Sequence, residues 1–164
     1  MQNFVELYKE LSNKLIKIEQ IQWVDLWNDQ VTNLEMEHPF PAPAVFLAFR
    51  SQQMEDVGTN VQKVLMQVDV FFFYETFADT YHESFNQSDA LNFLEIMDKI
   101  NKVLHASSGE NYSSMRRIAF FPLDIGGGGN LWNITYECIC MDYSSTPEYE
   151  EGEFKGVEVI TFDV

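Results

Sequence analysis

At 164 residues, 46% hydrophobic and 15% aromatic, the chain suits one folded domain with a real core, which argues against bulk disorder. Ten basic residues stand against 26 acidic ones, a formal charge of −16, and such a surface repels phosphate, so sequence-independent grip on DNA or RNA is disfavoured. No apolar run approaches the ~20 residues that span a bilayer, and the start MQNFVELYKE lacks the pattern of a signal peptide, so synthesis in the cytosol and no membrane partner are expected.

In chain order, residues 3–21 read as a helix. Phe4, Leu7, Tyr8, Leu11, Leu15 and Ile18 recur at three- and four-residue steps, and Asn3 is placed to cap the start. Gln22 to Trp27 has strand composition but is short, and suits an edge strand or an irregular connection equally. Residues 28–43 carry HPFPAP, whose prolines forbid helix and interrupt a ladder, so an extended loop is expected.

Ala44 to Arg50 is a compact apolar strand. The polar stretch 51–60, with Gly58, is expected to turn the chain into the longest strand, Val61 to Glu75, as an antiparallel neighbour. In that strand Val64, Met66, Val68, Val70 and Phe72 alternate with Lys63, Gln67 and Asp69, giving an apolar face over ~17 Å or more. Phe71 and Phe73 interrupt the polar face, so this end is expected to be covered on both sides, by the fold or by another copy.

Beyond it, TFADTYHESFNQ places Phe77, Tyr81 and Phe85 four residues apart, in a helical turn or a projecting loop with aromatic anchors. A second helix over 88–105 is capped by Ser88 and buries Ala90, Phe93, Leu94, Met97, Ile100 and Leu104, with Gly109 ending it. Ser114 to Ile125 and Asn130 to Tyr143 form a hairpin across four glycines, 126–129. These resemble a phosphate loop only superficially, because no helix follows and no Lys-Ser or Lys-Thr pair is present. After Asp142 the tail is acidic, and Gly156 to Phe162 is a candidate edge strand, for this sheet or a neighbour's. The expected organisation is one α+β domain, 1–143, followed by an acidic extension, 144–164. Its sheet is mainly antiparallel, of about four to six strands, with two helices packed on one face.

No residue pattern demands chemistry. His38, His82 and His105 have no metal-site spacing, and Cys138-x-Cys140 without a further pair reads as small core residues on one side of a strand. No catalytic residue, cofactor or metal is expected, and no enzymatic activity. The aromatic surplus is the sharper signal. Trp23, Trp27, Phe71, Phe73, Phe77, Tyr81 and Phe85 exceed what two helix stripes and one sheet face need. Six of them (Trp27, Phe71, Phe73, Phe77, Tyr81 and Phe85) are candidate interface residues for self-association. The same residues equally suit a thick core under long loops.

The N-terminal amphipathic helix, the loop into PAPAVFLAFR, the strand VQKVLMQVDVFFFYE, the helix SDALNFLEIMDKINKVLHA and the hairpin RRIAFFPLDIGGGGNLWNITYECICMDY together resemble the tail-terminator and tail-completion (head–tail junction) proteins of long-tailed bacteriophages. The resemblance spans roughly residues 1–143 and is one of element order. It implies a small subunit, made in the bacterial cytoplasm and incorporated into the virion tail, that assembles into a ring, often a hexamer. The implied partners are copies of itself, tail-tube proteins and the connector, with DNA at most passing through the lumen. An acidic wall is compatible with such a lumen, since it lets a polyanion pass without sticking, though solubility alone also accounts for the charge. The alternative reading is a bacterial protein-binding module that holds a protein partner with the aromatic loop 76–87.

Overall fold

A computed structural model describes residues 2–31, 40–75, 78–125 and 129–147. The element order is α1 (Gln2–Leu15), β1 (Trp23–Leu26), β2 (Ala44–Gly58), β3 (Val61–Tyr74), α2 (Gln87–Ala90), α3 (Asn92–Leu104), β4 (Arg116–Leu123) and β5 (Asn130–Asp142). The strands form one five-stranded sheet in the order β1-β2-β3-β5-β4. Only β1, parallel to β2, departs from antiparallel pairing. The α+β class and the mainly antiparallel sheet are as expected.

The alternation along β3 sets the two faces. Val64, Met66, Val68, Val70 and Phe72 are buried on one of them. Tyr136, Cys138 and Cys140 of β5 stand across from Val68, Met66 and Val64, so all belong to that face. The helices cover it: Leu7, Leu11 and Leu15 of α1 and Phe93, Ile96, Met97, Ile100 and Leu104 of α3 close the main core. Cys138 and Cys140 are free, buried thiols with sulfurs 3.9 Å apart. The hydrogen bond between them pushes the Cys138 thiol up and lowers that of Cys140. Above Cys140 only a slit of about 10 Å³ remains, lined by Phe4, Leu7 and Val64 among others, about the least space that admits a water.

Several boundaries differ from expectation. The first helix stops at Leu15, and residues 16–20 continue as turns. Asn3 lies inside the helix rather than at its cap. The second helix breaks at Leu91, whose ψ of −3° separates α2 from α3, and Ser88 sits inside α2. The apolar stripe runs through the break from Ala90 to Leu104, with Ile96 buried in place of Leu94, which is exposed. The helix ends at Leu104, before Gly109, with His105 extended and Ala106 at φ 60°. Most consequential is β2, which continues through the polar stretch to Gly58 and turns only at residues 59–60, where Asn60 takes φ 62°. Residues 51–60 are exposed throughout, and since β3 stays paired with β5 from Gln62 onward, this outer length of β2 forms an arm along the edge of the sheet. The candidate strand 156–162 lies outside the described residues, as do glycines 126–128 and His38.

Candidate interaction surface

The second face of the sheet is half covered. Val31, Ala44, Phe46, Phe73 and Leu131 form a separate buried cluster, with Trp27, Phe40, Ala42, Phe71, Leu123 and Ile125 packed against it. Trp27 stacks on Phe71 with centroids 4.1 Å apart and meets Phe46 edge-on at 6.0 Å. Phe40 meets Phe46 at 5.0 Å and Phe73 at 5.8 Å, both edge-on. These geometries are those that aromatic quadrupoles prefer. Of the two covers expected for this end of β3, the fold itself supplies one: Phe73 is 1% exposed and Phe71 is half-buried beneath Trp27, so neither of these two interface candidates presents a free ring.

Tyr81 and Phe85 are different. Tyr81 is 65% exposed and Phe85 fully so, on a turn fixed by several hydrogen bonds. Ser84 Oγ donates to the Asp79 carbonyl at 2.6 Å, the Asp79 amide donates to Asn86 Oδ1 at 3.3 Å, and Gln87 Nε2 donates to the Tyr81 carbonyl at 2.9 Å. Phe77 lies outside the described residues.

Beyond the aromatic cover, the second face is polar at its centre. Asp69, 3% exposed, accepts from Thr135 Oγ1 at 2.9 Å and Gln67 Nε2 at 2.9 Å, with Arg50 at 3.8 Å. The carboxylate is thus satisfied internally. Towards the arm, a hollow of about 170 Å³ is lined by Gln53, Glu55, Lys63, Leu65 and Ile139, below the ~300 Å³ at which ligand clefts begin. A hollow of about 330 Å³ lies between residues 110–113 and the end of β5. Three of its polar side chains are engaged: Asn111 with Glu10, the Ser113 hydroxyl with the Ile139 amide, and Tyr112 with Lys14 and Ser107. Among the described residues no three His, Cys, Asp or Glu side chains gather into a potential metal site, and no helix is long and apolar enough to cross a membrane. His82 and Glu83 pair at 3.7 Å in the open, and His105 Nδ1 accepts from the Arg117 amide at 3.1 Å.

Further exposed apolar side chains lie on the sheet edges. On β4, Ile118, Phe120 and Phe121 are all more than two-fifths exposed, with Phe120 and Phe121 on opposite faces and Ile118 in a bulge. Phe120 stacks on Trp132 at 6.3 Å and carries Arg117 over its ring at 5.1 Å, and Arg116 is ion-paired with Glu137. On the arm Met54 and Val57 are half exposed. No family model matches this chain, and no curated protein does.

None of these edge residues was singled out from the sequence. A usable signal is present in RRIAFFPL, where apolar residues on both faces and a proline fit an edge strand better than a central one.

Proposed function

We propose that this chain is a non-enzymatic structural subunit of a phage or prophage tail. In this reading it assembles with copies of itself into a ring that terminates the tail tube and docks to the head–tail connector. The observation that carries the self-assembly step is the pair of partly apolar sheet edges that no described strand covers, β4 on one side and the outer length of β2 on the other. Unlike patches on opposite sides of a subunit make head-to-tail contacts, and those close into rings when the rotation allows. The order of helix, strands, helix and hairpin supports the tail-terminator reading, and the −16 charge suits a lumen that DNA passes without adhering. The test is solution mass by light scattering after size exclusion, together with the identity of neighbouring genes. A closed oligomer near six copies beside tail-tube, tape-measure or portal genes is expected. A single-chain mass at every concentration and salt, with no tail genes nearby, overturns the reading.

Tyr81 and Phe85 favour the second reading, a module that holds a protein partner with its aromatic loop. Exposed aromatic side chains on a fixed backbone lose little entropy on binding, as interface anchors require. If Tyr81→Ala and Phe85→Ala leave the oligomer intact, the loop is free for such a partner; if they dissolve it, the loop belongs to the ring.

A further inference from the structure

The two edges are chemical opposites. Beyond Leu47 no described strand pairs with the outer side of β2, and this free length, residues 48–58, presents Glu55 and Asp56 beside half-exposed Met54 and Val57. Among the described strands none pairs with the outer side of β4 either, and it presents Arg116 and Arg117 beside exposed Ile118, Phe120 and Phe121. The β4 edge is apolar and basic and the outer part of the β2 edge apolar and acidic, its Arg50 lying further in at 3.8 Å from Asp69, on a molecule that is otherwise strongly acidic.

Strand directions make the edges compatible. β2 and β5 run the same way and β4 runs against them, so a second copy in the same orientation brings its β2 to this β4 antiparallel. We infer that β4 of one copy pairs with the free length of β2 of the next, extending the sheet from copy to copy. This contact deepens the ring reading and rests on it.

The register follows from faces and charge. Arg116 is level with Glu137, Gln67 and Arg50 across the sheet, on the face that also carries Glu55, the cross-strand partner of Lys63. Setting Arg116 opposite Glu55 preserves the alternation of both strands. It also places Arg117 opposite Met54 on the helix-covered face, with Asp56 on the diagonal, both within cross-strand reach. Arg116 then lies between two carboxylates, Glu137 of its own sheet and Glu55 of the next copy. The pairing requires each copy to shift along the strand direction by four to five residues, about 15 Å, because β1 already occupies residues 44–47 of β2. A regular stagger between strands is also what a closed barrel needs. Pro122 has no N–H to donate and ends the new ladder, which leaves residues 116–121 against roughly 50–55.

Charge reversal tests the contact. Alone, Arg116→Glu/Arg117→Glu sets acid against acid and Glu55→Lys/Asp56→Lys sets base against base, so each variant is expected at single-chain mass by light scattering. Mixed in equal amounts, the two become complementary at every contact of an alternating ring, and the mass of the wild-type assembly returns with an even number of copies. Misfolding cannot produce that recovery. If the wild type assembles and either variant assembles alone, or the mixture fails to, this contact is overturned while the ring reading stands. If the wild type never assembles, this contact falls, and the ring reading falls with it where no tail genes lie nearby.

Discussion

Gly109 shows how a single residue ties the loop after α3 to α1. A Cβ there would lie 1.6 Å from Glu10 Oε1, while the Glu10 carboxylate accepts from Asn111 Nδ2 at 3.2 Å and pairs with Lys14 at 3.4 Å. Since the clash is with the end of a flexible side chain, Gly109→Ala should displace Glu10 rather than unfold the loop, at a cost of about 1 kcal/mol, one net hydrogen bond. Adding Glu10→Ala should then cost less than the two single changes summed, a coupling that urea titration of the four proteins reads directly.

Tyr136 is the residue whose ionisation matters. It is fully buried, with its hydroxyl 3.4 Å from Asn101 Oδ1, and burial drives its phenol well above the ordinary value of 10.0, only partly opposed by Arg117. The raised group keeps its proton in the folded state while the unfolded chain loses it. Its contribution to stability is therefore complete below pH 10.0 and declines as pH rises beyond that. The urea midpoint should fall above pH 10, and Tyr136→Phe should flatten that alkaline limb at a neutral-pH cost of about 0.5–1.5 kcal/mol.

At the level of elements, Phe73 and Phe120 mark the difference between a covered and an open face. Phe73→Ala opens a cavity beneath Phe40 and Phe46 and should cost about 3–5 kcal/mol, seen as a large drop in the denaturation midpoint. Phe120→Ala should cost about 1 kcal/mol or less, since the ring is 54% exposed and loses chiefly its stack on Trp132. Its measurable effect belongs in the association constant. A sequence cannot separate these two phenylalanines, because each sits among apolar neighbours on a strand and what covers Phe73 is a loop 30 residues away in the chain. β3 was legible because it is flanked on both sides and its alternation is enforced by a core on the helix face. The outer half of β2 was not: residues 51–58 pair with β3 alone and bury nothing, so no hydrophobic period marks them. Ile96, by contrast, was within reach of the sequence: it lies three residues after Phe93 and four before Ile100, on the same helical stripe, whereas Leu94 falls at its margin.

For the whole molecule, charge competes with shape. Copies carrying −16 repel over the Debye length, ~30 Å at 0.01 M salt but ~8 Å at 0.15 M, whereas the Arg116–Glu55 contact acts at a few ångströms. Raising salt across that range should therefore increase the assembled fraction in light scattering, because the long-range repulsion is screened first. A fall in mass over the same range would mean that the edge ion pairs dominate. The class of fold was visible in the order of elements, while the edges that give the molecule a direction were not, since edge status is a property of the finished sheet.

The thiols beneath α1 give the protein an internal clock. Cys138 and Cys140 are buried in the core that α1 helps to close, with Phe4 and Leu7 beside Cys140, so a thiol reagent should reach them chiefly in the moments when that core opens. The rate of labelling then counts those openings against the rate for unfolded chain. Both cysteines sit on β5, which is bonded to β4 over residues 131–137 and to β3 along its whole length. If joining neighbours stiffens that frame, the clock slows on assembly, and a covalent label in the core becomes a timer for events at the rim.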